Sequence, residues 1–303
     1  MNPVVMFRDV VRSYYGNTPV LNGVTFSMQP EEIVGLLGRN GTGKTTLIRI
    51  AMGMLFPHAG TVELFGLSPT KFPVEVKKRI GFVAADQELP AFWTVGELIA
   101  LHRRLFVKWD VSLEKQLLDR FALPTGSRIG KLSTGQRRQA ALLCAVCHRP
   151  ELLLLDEPAS GLDPVARREF LETAIQLLNR EGSSILFSSH QMSDVERLGG
   201  RVVLLDDGKV RLDRALDDLR ESHCVVKVPR RSLPDTTALA QVPGCLRTRV
   251  VQDTVHAVFE GTPARVQESL HRTLGVRDAH VTLVTLEDLF IEMVGGERLE
   301  SAA

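Results

Sequence analysis

Eight residues, Gly38-Arg39-Asn40-Gly41-Thr42-Gly43-Lys44-Thr45, meet the pattern G-x-x-x-x-G-K-[ST] at every constrained position. The apolar run Ile33-Val34-Gly35-Leu36-Leu37 precedes them and reads as a buried strand, while Thr46 to Met52 reads as a helix. A strand that enters a helix through such a loop points to an α/β fold. Gly38, Gly41 and Gly43 let the backbone turn tightly and aim successive N–H groups inward. There they add to the positive end of the helix dipole in holding phosphate oxygens. Lys44 is the compact charge for β- and γ-phosphates, and Thr45 offers a hydroxyl to Mg²⁺. The competing reading, a glycine-rich turn that happens to end in Lys-Thr, is disfavoured by the strand and helix on either side.

A chain of 303 residues can hold one large core plus a smaller domain. With 37 basic and 36 acidic residues the net charge is +1, which gives no global field for nucleic acid, so no nucleic-acid partner is expected. The longest apolar runs, such as Ala140 to Cys147, fall short of the roughly 18 to 20 residues that a bilayer requires, and no secretory signal is visible at the amino terminus. A cytoplasmic location is the expectation, and four cysteines fit a reducing compartment. Cys144-Ala145-Val146-Cys147-His148 matches the C-x-x-C-H haem pattern. It closes a helical stretch, so core packing is the expected role.

Along the chain, residues 3–12 and 19–28 read as antiparallel edge strands, and 94–120 carry helical spacing that marks a helical insertion. Helix 134–147, strand 151–155, helix 164–180, strand 183–188, helix 191–198 and strand 201–205 alternate, which predicts a mostly parallel sheet. Beyond residue 220 the texture changes to short β-like runs, 224–228 and 254–259, and a helix over 263–274, which suggests a small α+β module. Leu152 to Leu155 form a buried strand ending in Asp156 and Glu157, at the carboxyl edge where α/β sheets bind ligands. Asp156 suits Mg²⁺ and Glu157 suits polarising an attacking water. Alone this is equally a plain strand end, and the phosphate loop gives it weight.

Leu132-Ser133-Thr134-Gly135-Gln136 resembles the signature sequence of ATP-binding cassette (ABC) ATPases, usually L-S-G-G-Q. Thr134 stands where Gly is common, but Ser133 and Gly135 keep their places, and the resemblance gives them γ-phosphate hydrogen bonds. Ser133 also reads as an ordinary helix cap before Gln136, and the two roles are compatible, because a capped helix start is an anion site. Ser160-Gly161-Leu162-Asp163-Pro164 resembles the D-loop, in which Asp163 would help two cassettes communicate. His190 resembles the switch histidine that contacts γ-phosphate and orients water. Tyr15 resembles the aromatic that stacks on adenine, with Tyr14 as runner-up. The resemblance thus implies nucleotide contacts from Gly38, Asn40, Gly41, Thr42, Gly43, Lys44, Thr45 and Thr46, catalysis by Lys44, Glu157 and His190, and Mg²⁺ at Thr45 and Asp156. The family's Q-loop glutamine falls at Ala85, which leaves Gln87, two residues on, as a further candidate for the metal. Glu31 departs from a common Gly and reads as a turn variation.

The resemblance covers residues 3 to about 215. It implies a P-loop ABC core over 1–220, with an antiparallel β subdomain and a helical subdomain at about 90–140, and an accessory α+β domain over 221–303. ATP and Mg²⁺ are the implied cofactors, and ATP hydrolysis is the implied activity. The implied partners are a second cassette, either this chain or a paralogue, and a separate integral membrane permease on whose cytoplasmic face the pair would sit. Val284 to Ile291 resembles the closing segment of ATPase subunits that serve type 2 exporters, and Lys108-Trp109-Asp110 is similar to a bacterial branch of that group. Two other classes compete. ABC ATPases acting on ribosomes or DNA usually carry two cassettes or long coiled coils, neither of which is seen here, and P-loop kinases or GTPases lack the signature and D-loop.

Overall fold

The computed structural model describes residues 2–14, 18–84 and 86–289, with the backbone alone described for 177–181. In chain order the first elements are β1 (Val5–Ser13), β2 (Pro19–Met28), β3 (Ile33–Leu37), α1 (Lys44–Ala51), β4 (Ala59–Leu64), α2 (Pro73–Lys77) and β5 (Ile80–Val83). Then come α3 (Val95–Leu105), α4 (Val111–Arg120), α5 (Thr134–Val146), β6 (Leu152–Asp156), α6 (Pro164–Glu181), β7 (Ser184–Ser189), α7 (Met192–Leu198), β8 (Arg201–Asp206) and β9 (Lys209–Ala215). The remainder is α8 (Leu216–Ser222), β10 (His223–Pro229), β11 (Cys245–Val251), β12 (Thr254–Glu260), α9 (Pro263–Leu274) and β13 (His280–Leu283). The chain divides into two compact units, the second beginning at Arg214.

In the first unit a six-stranded sheet runs in the order β5-β6-β7-β3-β8-β9. The pairings β5–β6, β6–β7, β7–β3 and β3–β8 are all parallel. Continuous apolar runs such as Leu152-Leu153-Leu154-Leu155 suit this sheet, since each of those residues is buried and a parallel sheet hides both faces. A separate antiparallel sheet, β2-β1-β4, pairs Phe7 with Phe26 and Val5 with Leu64. Its inward residues Val5, Phe7, Leu21 and Leu64 share one core with Leu36, Leu47 and Leu154. The helical insertion is α3 and α4. Thr94 and Glu97 form a capping box at the start of α3, and Asp110 caps α4 by accepting from Leu113 N. Glu114, buried beneath them, accepts from Arg103 Nε at 2.7 Å and from Trp109 Nε1 at 2.7 Å.

Register fixes what stands at the sheet's carboxyl edge. Leu37 is level with Ser189 and Asp156 with Ser188, so the loop after β3 and residues 157 and 190 leave from the same edge. The Cys144-x-x-Cys147-His148 stretch is core: all three side chains are buried, and burial pushes the Cys144 thiol up to about 12. His148 stacks on Phe106 with ring centroids 3.9 Å apart, and its Nε2 meets Ile80 O at 3.1 Å. In the second unit the sheet order is β11-β12-β10-β13, and Cys224, Val226, Ala257 and Phe259 pack with Val266 and Leu270 of α9. The structure also adds β9, α8, β11 and β13, for which the sequence pattern had suggested no element.

Helix α5 lies so close to β5 that a Cβ added at Gly81 would come 2.1 Å from the Ala145 carbonyl oxygen and 2.9 Å from Leu153 Cδ1. Gly81→Ala should therefore cost about 1–3 kcal/mol of stability, the usual penalty for overpacking. Thermal unfolding followed by circular dichroism reads this directly, and an unchanged Tm would contradict the close approach.

Candidate functional site

The loop between β3 and α1 needs its glycines for two separate reasons. Gly41 and Gly43 adopt φ of +86° and +102°, a left-handed region that side chains resist. Gly43 also has no room, because a Cβ there would lie 2.5 Å from Leu21 Cδ2 and 2.9 Å from Val20 O. Beside the loop is a cavity of about 470 Å³ lined by Tyr14, Val20, Asn40, Gly41, Gly43, Lys44, Thr45, Thr46 and Glu157. The start of α1 carries no side-chain cap, so its amide donors remain for a ligand.

Lys44 is 5% exposed, and its ammonium is held by its own chain. Nζ donates to Gly38 O at 2.8 Å and Arg39 O at 3.1 Å, and it lies 3.2 Å from Glu157 Oε1. The other oxygen of Glu157, Oε2, is 2.7 Å from His190 Nδ1. Glu157 sits at φ +46°, a left-handed turn at the end of the strand from which its side chain meets both Lys44 and His190. Its Oε1 is buried yet accepts no hydrogen bond of good geometry within the protein, so an acceptor site there is open to a water or ligand proton.

Asp156, 1% exposed, accepts through Oδ1 from Thr45 Oγ1 at 3.0 Å and from Ser188 Oγ at 2.7 Å. Burial raises its pKa above the usual carboxylate range, and those two hydrogen bonds act against the rise. Ser188 also accepts from Glu157 N at 2.8 Å, so one buried hydroxyl joins both carboxylates. Sequence reasoning missed Ser188, although its place two residues before His190 on an edge-ending strand was a usable signal.

The other expected residues stand as follows. Thr46 Oγ1 meets the Tyr14 hydroxyl at 3.1 Å, and Arg12 lies over the Tyr14 ring at 5.4 Å. Tyr14 thus lines the cavity, whereas Tyr15 lies outside the described residues. Thr42 Oγ1 donates to Arg39 O at 2.9 Å and closes the loop. Ser133 and Gln136 form a reciprocal capping box at the start of α5, each bond 3.1 Å. Asp163 Oδ1 caps α6 by accepting from Val165 N and Ala166 N at 3.0 Å. Ser133, Gly135 and Asp163 are absent from the cavity lining. Gln87 folds back on its own turn, Oε1 accepting from Ala84 N at 3.3 Å. Arg138 of α5 donates to Ala84 O, joining the signature helix to the end of β5.

The cavity suits a nucleotide polyphosphate. It offers amide donors, a buried ammonium and a cradle that a Cβ would fill. Thr45 and Asp156 are hard oxygen donors held together, as a Mg²⁺ ion shared with phosphates requires. Among the described residues no group of three or more His, Cys, Asp or Glu could hold a metal by itself.

Residues 21–160 match the family model described as ABC transporter. The chain is 30% identical over 296 residues to the ABC transporter ATP-binding protein YtrB of Bacillus subtilis (strain 168), spanning 97% of this chain and 99% of that one. It is 32% identical over 298 residues to the Nod factor export ATP-binding protein I of Burkholderia lata, spanning 96% and 97%. Among solved structures, an ATP-binding subunit of an ABC transporter superposes with a TM-score of 0.65 at 27% identity, covering 72% of this chain and 92% of the other. The ATP-binding cassette MJ0796, a dimer in a post-hydrolysis state with ADP and Pi, shares the fold at TM-score 0.62 and 23% identity, covering 70% and 98%.

Replacing Lys44 by Ala removes the buried charge that would meet the phosphates, so ATP affinity measured by calorimetry should fall by at least about tenfold, as loss of a charge-assisted contact implies. Equal affinity in mutant and parent would remove the loop from nucleotide binding.

Proposed function

Because this chain belongs to the ABC transporter family, as an ATP-binding subunit and ATP hydrolase, we propose that it powers export through a separate membrane permease and works as one of two facing cassettes. The observation that carries the proposal is the meeting of Lys44, Thr45, Asp156, Glu157 and His190 at one sheet edge beside the phosphate loop. Each of two ATP molecules would lie between the loop of one subunit and Ser133 and Gly135 of the other. The first half of that arrangement is supported by the cavity, and the second by the capped, exposed start of α5, which faces no partner within its own chain's cavity. The second subunit is this chain or a paralogue. Export is supported by the named function of the Nod factor relatives and by the match along nearly the whole chain. The chain would sit on the cytoplasmic face of the membrane, and no helix among the described residues is long and apolar enough to cross it. The unit beginning at Arg214 is read as an accessory module.

In this reading ATP displaces the internal partners of Lys44, whose ammonium turns from Glu157 and the carbonyls of Gly38 and Arg39 to the β- and γ-phosphates. Glu157, released from that pair, accepts a hydrogen bond from the attacking water and takes the water's proton as the water oxygen bonds to phosphorus and the bond from phosphorus to the ADP oxygen breaks. His190 holds Glu157 and the γ-phosphate side of the water in line. Thr45 and Asp156 would hold Mg²⁺, which would supply charge neutralisation to the phosphates. Tyr14, anchored by Thr46, offers a flat face to the base.

Two experiments test this reading. Glu157→Gln keeps the shape and loses the proton acceptor, so ATP should still bind while single-turnover hydrolysis falls about 10² to 10⁴-fold. Near-normal turnover would remove Glu157 from its role. The dimer is tested by mixing Ser133→Arg with Lys44→Ala, each inactive alone. One intact composite site should then return ATPase activity in the presence of the permease. Full activity of Ser133→Arg alone would take the signature out of the mechanism.

A further inference from the structure

One buried ion pair near the site has no part in the chemistry above. Arg167, in the first turns of α6, donates from Nε to Asp194 Oδ1 at 2.6 Å, and its Nη2 lies 2.5 Å from Asp194 Oδ2. The two side chains are only 18% and 8% exposed. Asp194 Oδ2 also accepts from Ser189 Oγ at 3.0 Å, and that hydroxyl accepts from Gln191 N at 3.0 Å. One hydroxyl, which also lies 3.2 Å from Gln191 O, therefore joins Asp194 to the residues on both sides of His190. At the other end, Arg167 N donates to Asp163 O at 2.9 Å, inside the turn that Asp163 caps.

We propose that Arg167 and Asp194 are a positioning pair that sets the alignment of His190 on Glu157 and makes it depend on the D-loop. The His190 side chain is 37% exposed, and its Nδ1 meets Glu157 Oε2 at 2.7 Å. The ring is solvent-exposed on one side, so the backbone of residues 189–191 helps to decide where it points. Buried ion pairs give little net stability compared with apolar residues of the same shape, so a wholly structural role is a weak reason for this one. Misplacing a reacting group by about 1 Å can cost on the order of 100-fold in rate. Because Arg167 starts from the turn that holds Asp163, a shift of that turn against a second cassette moves Asp194 and, through Ser189 and Gln191, His190. This inference rests on the proposed roles of His190 and Glu157 in hydrolysis.

The test is ATP turnover of the full-length chain, with ATP affinity measured separately by calorimetry. Asp194→Ala should lower kcat by about tenfold or more and change the ATP Kd by less than about twofold, while Asp194→Glu recovers much of the loss. The decisive arm repeats Asp194→Ala in a His190→Ala background, where the further loss should be under about twofold, since the pair acts through that histidine. The same proportional loss in both backgrounds would overturn the positioning role and leave the proposed mechanism standing. Parental turnover of His190→Ala would overturn the mechanism's use of His190, and the inference with it. If Asp194→Ala does not fold, Ser189→Ala, which keeps both charges paired, takes its place in both backgrounds with the same expected outcomes, as does the paired substitution Arg167→Leu with Asp194→Leu.

Discussion

The buried ammonium of Lys44 is the constraint on which the site depends. Held alone at 5% exposure it would cost several kcal/mol, so the chain must bring an anion to it. Glu157 is that anion, 3.2 Å away, and the carbonyls of Gly38 and Arg39 accept the ammonium's hydrogen bonds. This requirement reaches back into the fold. Glu157 arrives only if β6 ends level with β7 and the β3 loop, and only if its backbone turns to φ +46°. The parallel register of the apolar strands therefore sets the geometry of the charges. A triphosphate entering the cavity would offer Lys44 a stronger set of anionic partners, and the carboxylate it would give up is the group proposed to take the water's proton.

The same edge organises residues that serve different ends. Ser188, fully buried, donates to Asp156 and accepts from Glu157 N, so the carboxylate that suits a metal and the one that suits a water move together. Ser133 and Asp163 use their own polar groups to cap helices, which keeps two helix starts well formed. Arg138, reaching from α5 to the Ala84 carbonyl, ties the signature helix to the end of β5. Within the first unit the loops are thus joined by short bonds between neighbouring elements.

Much of this was legible in the sequence where the physics is local. The glycine pattern, the Leu run before Asp156 and the capping pair Ser133 and Gln136 each need only a few adjacent residues, and the alternation of strands and helices followed from periodicity. What escaped was set by contacts distant in sequence. Arg167 and Asp194 are 27 residues apart and meet only once α6 and α7 pack. Ser188 acquires its importance from strand register. Strand β9 is half-buried or exposed throughout and carries four charged residues before its end, so it lacks the apolar run that marked its neighbours. Strand β11 is likewise a sheet-edge strand with no fully buried residue. Adenine stacking was expected first at Tyr15, outside the described residues, whereas the runner-up Tyr14 lines the cavity.

The exchange at Lys44 is best tested by a crystal structure of the Glu157→Gln chain with ATP and Mg²⁺, compared with the parent chain crystallised without nucleotide. The account predicts Lys44 Nζ within about 3 Å of a β- or γ-phosphate oxygen in the first, the range of a charge-assisted hydrogen bond, and on Glu157 in the second. A bound ATP whose phosphates leave Lys44 on the Gly38 and Arg39 carbonyls would contradict it.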